Sequence, residues 1–122
     1  MIKLSNLLSE IKVNKPGIPK FKNNDELANF LKKNSSGKKQ LIDLIWDDPE
    51  WDRQGEGWED VLNGWYNADI IQYSNYNEED EIMIDDDNDN RVYISIVPLP
   101  YEQGVTDQKI EFGLNTIYWQ YF

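Results

Sequence analysis

The sequence contains neither cysteine nor histidine. Without cysteine the chain can form no disulfide bond and no thiolate metal site. Without histidine it lacks the usual base of Ser/His and Cys/His catalytic arrangements, and it lacks imidazole metal ligands. Carboxylates, tyrosines and lysines are the groups left for proton transfer. We therefore expect a protein that is not an enzyme and that binds neither a cofactor nor a metal ion.

Long apolar runs are also lacking. No stretch approaches the roughly 18 consecutive apolar residues that a membrane span needs. The N-terminus has neither the apolar core nor the small-residue cleavage site of a secretory signal. We expect no association with membranes and no secretion. A length of 122 residues predicts one domain that is large enough to bury its own core.

Positive charge is scarce in the second two-thirds of the chain. Residues 1–40 contain nine lysines and three acids, a net charge of +6, whereas residues 41–122 contain three bases and twenty acids, a net charge of -17. The basic part either neutralises the acidic body or meets a different partner. Because phosphate contacts need cations, we expect no direct nucleic-acid binding through the acidic body. An acidic surface can, however, imitate a nucleic acid.

The N-terminal region divides from the rest of the chain at a break in its pattern. An amphipathic helix or arm is predicted over residues 1–13, because four aliphatic residues follow the helical spacing i, i+3, i+4 and i+7. These residues are Leu4, Leu7, Leu8 and Ile11. Two prolines and a glycine predict a linker over residues 14–20. Residues 21–122 then form a single acidic domain.

Three helices are predicted at the start of this domain. The first has its N-cap at Asn24 and ends at NSSG, residues 34–37. The second ends at DDP, residues 47–49, and the third begins near Trp58. Helical spacing of apolar residues predicts the buried stripes of the three helices. The stripes are Leu27, Phe30 and Leu31; Leu41, Leu44 and Ile45; and Trp58, Val61, Leu62, Trp65 and Tyr66.

The segment EIMIDDDNDNRVYISIV, residues 81–97, allows either a calcium loop or a hairpin. A calcium loop that starts at Asp85 would need glycine at its sixth position and glutamate at its twelfth. Those positions hold Asn90 and Ile96. The hairpin is therefore the better interpretation, and we expect no tight metal site here.

The register of this hairpin follows from symmetry about Asn88. Apolar residues then face apolar residues on both strands, and an acid faces a base beside the turn. The predicted pairs are Ile82 with Ile94, Met83 with Tyr93, Ile84 with Val92, and Asp85 with Arg91.

Further strands are predicted before and after the hairpin. The apolar residues that mark them are Ile70, Ile71 and Tyr73; Ile110 and Phe112; and Ile117, Trp119 and Tyr121. A turn near Leu114 and Asn115 separates the last two strands. Helices followed by strands predict an α+β fold with a mostly antiparallel sheet of four or five strands.

Tryptophans and acids alternate in WDDPEWDRQGEGWED, residues 46–60. Paired carboxylates beside aromatic rings are typical of glycoside hydrolases. Acids are so frequent here, however, that the alternation has little weight. Trp46 and Trp51 lie in the least regular part of this segment, and aromatic residues are enriched at protein interfaces. We therefore identify both as candidate protein contacts.

The first 17 residues, MIKLSNLLSEIKVNKPG, resemble the amphipathic leader of late and virion proteins of tailed phages. Such leaders include those of internal capsid proteins, which are cut after Leu or Ile, any residue, then Glu. Leu8-Ser9-Glu10 fits that rule, and the resemblance leaves open whether this chain is cut after Glu10. It implies a structural protein of the virion or its assembly, located in the virion or the host cytoplasm.

This structural protein would contact a protein partner or further copies of itself through Leu4, Leu7, Leu8 and Ile11. One alternative is an acidic inhibitor or nucleic-acid mimic that binds a basic partner. A second, less favoured alternative is a carboxylate-dependent glycoside hydrolase.

Overall fold

The computed structural model describes residues 17–49, 53, 55–75, 79–99 and 108–121. Within these residues three helices precede a five-stranded antiparallel sheet, so the α+β prediction is confirmed. The predicted N-terminal helix and its four aliphatic residues lie outside the described residues, and so does Trp51.

Two helices form a tight pair at the start of the domain. Helix α1 spans Asn24–Lys33 and helix α2 spans Ser35–Trp46. The N-cap of α1 is Asn23, whose side chain accepts a hydrogen bond from the Glu26 amide at 3.0 Å. The prediction of Asn24 as the cap is therefore wrong by one residue. Asn24 is instead buried in the first turn.

The sequence NSSG does not form the loop that its composition suggests. Only Asn34 interrupts the two helices, and its Oδ1 accepts a hydrogen bond from the Gly37 amide at 2.8 Å. The same polar side chain that favours a stop therefore caps the next helix. A Cβ atom on Gly37 would lie 2.5 Å from Cε2 of Phe30, so glycine permits the close approach of α1 and α2.

The buried stripes of α2 and α3 agree in part with those expected. In α2 the stripe contains Leu41 and Ile45 but also Ile42, and Leu44 is only partly buried. Helix α3 spans Trp58–Asn67 and buries Val61 and Trp65 most deeply.

The five strands form one sheet in which every pairing is antiparallel. The spatial order is β1-β2-β3-β5-β4, so β5 separates β4 from β3. The strands are β1 Ile71–Asn75, β2 Glu79–Asp85, β3 Arg91–Ser95, β4 Gln108–Phe112 and β5 Asn115–Tyr121. The turn between β4 and β5 lies at residues 113–114, one residue earlier than the predicted Leu114 and Asn115, because Asn115 begins β5.

The register of the β2–β3 hairpin is the predicted one at all four positions. Ile82 faces Ile94, Met83 faces Tyr93, Ile84 faces Val92, and Asp85 faces Arg91. The aliphatic residues of the first and third pairs are all buried. Because side chains alternate between faces, a slip of β3 by one residue would have placed Val92 and Ile94 on the other face.

One face of the sheet packs against the helices. Helices α1 and α3 contact β2, and α2 contacts β4. The main core cluster joins the helices to Ile82, Ile84, Val92, Ile94, Phe112, Ile117 and Trp119. Met83 and Gln120, which alternate with these residues, lie on the opposite face and outside that cluster.

The end of the predicted linker is held against the β4–β5 turn. Asn115 accepts a hydrogen bond from the Phe21 amide and donates one to the Pro19 carbonyl, each at 2.8 Å. Gly113 has φ +65°, and a Cβ atom there would lie 2.6 Å from Cγ2 of Ile18. Residues 18–21 are therefore closely attached to the domain.

Candidate protein-contact site

Four aromatic rings from three elements form a continuous cluster. Trp46 ends α2, Trp58 and Trp65 belong to α3, and Tyr121 ends β5. The ring centroid of Trp46 lies 6.4 Å from that of Trp58 and 5.7 Å from that of Trp65. Tyr121 lies 5.9 Å from Trp58 and 6.5 Å from Trp65. Tilted and edge-to-face rings at these distances are favourable arrangements.

The β2–β3 loop anchors the deep side of this cluster. The backbone oxygen of Asn90 accepts a hydrogen bond from Nε1 of Trp65 at 2.9 Å. The side-chain oxygen of Asn90 accepts one from the Tyr121 hydroxyl at 3.0 Å. A Cβ atom on Gly64 would lie 2.7 Å from Cβ of Asp86, so the loop lies directly on α3.

The acids of this loop build its turn. The carboxylate of Asp86 accepts hydrogen bonds from the amides of Asn88 and Asn90, at 2.8 and 3.0 Å. Asp87 and Asp89 have φ values of 71° and 69°, a conformation that aspartate tolerates better than most residues. Turn formation therefore accounts for the residues that gave the loop its likeness to a calcium site.

Arg91 holds two of these acids together. Its Nε lies 2.8 Å from Asp85 Oδ2, and its Nη2 lies 3.1 Å from Asp89 Oδ1. These contacts raise the pKa of Arg91, with the hydrogen bond to Asp85 as the largest cause. Burial, together with the nearby Asp86 carboxylate, raises the pKa of Tyr121. The neutral hydroxyl is the form that donates the hydrogen bond to Asn90 Oδ1.

The outer side of the cluster consists of two half-buried tryptophans. Trp65 is only 1% exposed, whereas Trp46 and Trp58 both retain accessible surface. The guanidinium carbon of Arg53 lies 4.6 Å from the centroid of the Trp46 ring, within cation–π distance. Arg53 itself is exposed.

Acids follow both half-buried tryptophans in the chain. Asp47 and Asp48 come directly after Trp46, and Glu59 and Asp60 come directly after Trp58. Asp48 Oδ2 accepts a hydrogen bond from Nε1 of Trp119 at 3.2 Å. The other three acids are exposed. An accessible aromatic surface beside exposed carboxylates is suited to contact with a basic protein surface.

A separate open cavity of about 550 Å³ lies between the three helices and the segment leading to β1. Its lining residues are Leu31, Lys32, Ser35, Lys38, Tyr66, Asn67, Ala68, Asp69 and Ile70. Lys38 Nζ donates hydrogen bonds to the backbone oxygens of Tyr66, at 3.0 Å, and Ala68. The lysine therefore stabilises the C-terminal end of α3, and desolvation by burial lowers its pKa.

This cavity does not resemble a glycoside hydrolase site. A glycoside hydrolase needs two carboxyl groups beside the scissile bond. Among the described residues that line it, Asp69 supplies the single carboxyl group, and none is a tryptophan.

The described residues contain neither a metal-binding cluster nor a membrane-spanning helix. No cluster of three or more acidic side chains there is arranged to hold a metal ion. No helix there is both long enough and apolar enough to cross a membrane.

Among the candidate contact residues, only Trp46 lies within the described residues, and it belongs to the aromatic cluster. Trp51 and the four N-terminal aliphatic residues lie outside them. The sequence prediction treated Trp58 as a core residue and did not connect Tyr121 with either tryptophan. Gly55 and Gly57, just before Trp58, are the sequence feature that could have indicated an open approach to this helix. In the structure their φ values are +87° and +93°, and a Cβ atom at either would meet no other atom.

No family model matches this chain, and the searches of curated proteins and of solved structures returned no match.

Proposed function

We propose that this protein is not an enzyme and acts by protein–protein contacts, as a virion or assembly protein of phage type. The half-buried pair Trp46 and Trp58, beside exposed acids, is the observation that supports this proposal most directly. Tryptophan is among the residues that contribute most to binding energy when a partner covers it. The lack of cysteine and histidine and the phage-like leader support the same function.

The chemistry of this surface favours a partner with basic residues. Three exposed acids, Asp47, Glu59 and Asp60, adjoin the two tryptophans in sequence. Arg53 is the exposed base that lies against Trp46. A partner that supplies cations around an apolar centre would match the three acids and the two tryptophans.

A second candidate is an acidic inhibitor that imitates a nucleic acid. The exposed acids of the β2–β3 loop, Asp87 and Asp89, favour it because they add to the negative charge beside the same cluster. The two candidate functions differ in whether a nucleic acid competes with this protein for its partner. A nucleic-acid mimic occupies a nucleic-acid site on its partner, so DNA or RNA should displace it.

We expect the change Trp46→Leu to weaken partner binding by about 30-fold, a typical effect for a central tryptophan. The measurement is quantitative recovery of co-purifying proteins from the native host, followed by titration of the recovered partner. Tyr118→Leu is the matched control, because Tyr118 is a half-buried aromatic residue on the opposite face of the sheet. Equal binding by the native chain and the Trp46 variant would contradict the proposed site.

The same complex separates the two candidates. An assembly protein should remain bound when duplex DNA is added in excess, and an inhibitor that mimics nucleic acid should be displaced. In either case a basic partner should bind less tightly as the salt concentration rises, because screening weakens exposed charge contacts. Tight binding that does not depend on salt would contradict an acidic contact surface.

We also expect a chain that begins at Asn14 to stay folded but to lose its partner. Residues 1–13 are proposed to engage another subunit, so their removal should change the free energy of unfolding by less than about 1 kcal/mol. Thermal unfolding and partner recovery of the full and shortened chains provide the test. If the helix instead completes the core, four aliphatic side chains at about 1.5–3 kcal/mol each would be lost, and the shortened chain would be largely unfolded.

A further inference from the structure

Among the described residues, the two strands at the edges of the sheet differ in charge. Strand β4, at one edge, contains Lys109 and Glu111, and both side chains are exposed. Strand β1, at the other edge, has the sequence IQYSN and contains no charged residue. Natural sheets commonly protect their edges with charged side chains, because an unprotected edge pairs readily with another strand. By this criterion β4 is protected and β1 is not.

Strand β1 also carries exposed apolar surface. Ile71 and Tyr73 are each 40% exposed, and because they are two residues apart they lie on the same face of the sheet. Leu114, the other large exposed hydrophobic residue in the described part of the chain, lies in the β4–β5 turn. Exposed apolar area therefore coincides with a sheet edge at β1.

We propose that β1 pairs in antiparallel fashion with β1 of a second copy, across a two-fold axis, to form one continuous sheet. The net charge of -11 opposes self-association over much of the surface. The uncharged strand β1 adds no like charges of its own to a contact between two acidic copies. One acid lies beside this contact, since the Asp25 carboxylate accepts a hydrogen bond from Gln72 Nε2 at 2.5 Å.

The register of this pairing follows from backbone geometry. Along β1, every second residue points its N–H and C=O groups away from β2. In an antiparallel pair of two β1 strands, an odd-numbered residue can therefore face only an odd-numbered residue of the other copy, and an even-numbered residue only an even-numbered one. The axis that uses all five residues passes through position 73. It pairs residue 71 with 75 and residue 72 with 74, and it places Tyr73 opposite Tyr73 of the second copy. Directly opposed aromatic residues are favourable cross-strand pairs.

The expected association is weak, because a five-residue strand covers much less than the roughly 800 Å² per partner of a standard stable interface. We expect the dimer to be largely dissociated at roughly micromolar concentrations of the chain. This interface shares no residue with the aromatic cluster, so it is independent of the proposed function.

The lack of cysteine permits a direct test by cross-linking. Under mild oxidation, the Tyr73→Cys protein should form a disulfide-linked dimer about 10-fold faster than the Leu114→Cys protein, since facing residues of a strand pair have Cα atoms about 4.5–5.5 Å apart. The Leu114 variant is the control for an exposed cysteine that does not face its own copy. Equal rates would overturn the proposal.

Sedimentation equilibrium provides the second measurement. The apparent mass of the native chain should rise with concentration from 14.4 kDa towards twice that value, and the Tyr73→Lys protein should stay at 14.4 kDa. The lysine lowers the net negative charge, so repulsion between whole molecules cannot explain a loss of association. Circular dichroism tests whether this variant is folded. If it is unfolded, the cross-linking rates alone decide whether the proposal stands.

Three other outcomes would overturn the proposal. The first is a native chain that stays monomeric up to about millimolar concentration, and the second is a native chain that binds only a different protein through β1. The third is a dimer that persists in the folded Tyr73→Lys protein, which would place the contact between copies on another surface.

Discussion

The change Ile94→Ala should lower the free energy of unfolding by about 2–4 kcal/mol. Ile94 is fully buried, faces Ile82 on one neighbouring strand and lies beside Trp119 on the other. Truncation to alanine removes apolar contacts and leaves a cavity that strands on both sides prevent from closing. Urea unfolding at pH 7, followed by tryptophan fluorescence, gives the required free energies.

The matched control is Leu114→Ala, which removes a side chain of the same size from a site that is 78% exposed. Its effect should stay within about 0.5 kcal/mol. Similar losses for the two variants would contradict the central position of Ile94. They would also contradict the β2–β3 register, because a shift by one residue moves Ile94 to the opposite face.

The hairpin was predictable because its information is local. Apolar alternation on both sides of a short polar loop fixes the pairing, and Asp85 facing Arg91 leaves one register that satisfies every position. The choice between a turn and a calcium loop was equally local, since it depended on Asn90 and Ile96. Strand order was not predictable in this way. The placement of β5 beside β3 depends on contacts across the whole sheet.

The errors at the helix boundaries also have a physical cause. Asn, Ser and Gly end helices, but Asn and Ser also begin them, so NSSG is compatible with a loop or with a cap. The packing of Gly37 against Phe30 decides for a cap, and the partner of a glycine cannot be read from a single sequence. The position of a helix end was therefore less predictable than the presence of the helix.

The candidate site was predictable only in part. Trp46 was found because it precedes an irregular acidic segment. Its relation to Trp58 depends on how the connection between α2 and α3 folds, and Tyr121 comes from the other end of the chain. The spacing of Trp58 and Trp65 indicates one helix face, but it does not indicate that the first is accessible and the second buried.

That difference in burial leads to the second large effect, at Trp65. The change Trp65→Ala should lower the free energy of unfolding by about 3–5 kcal/mol. The side chain is 1% exposed, and its ring contacts both Trp46 and Tyr121. Its Nε1 also holds the β2–β3 loop through the backbone oxygen of Asn90. Truncation removes the largest buried side chain of α3 and one anchor of the loop together.

A second variant separates ring packing from the hydrogen bond. Trp65→Phe keeps an aromatic ring but removes the Nε1 donor, and the Asn90 oxygen still accepts a bond from the Asp86 amide at 3.2 Å. Loss of the hydrogen bond should therefore lower the free energy of unfolding by about 1 kcal/mol. The smaller ring of phenylalanine should lower it further. Chemical unfolding of both variants, with near-ultraviolet circular dichroism as the probe of aromatic packing, measures the two contributions. We expect the free energy of unfolding to decrease in the order native protein, Trp65→Phe, Trp65→Ala. An alanine variant as stable as the phenylalanine variant would show that the ring contributes little, and the aromatic cluster would then not be the support on which Trp46 and Trp58 are presented.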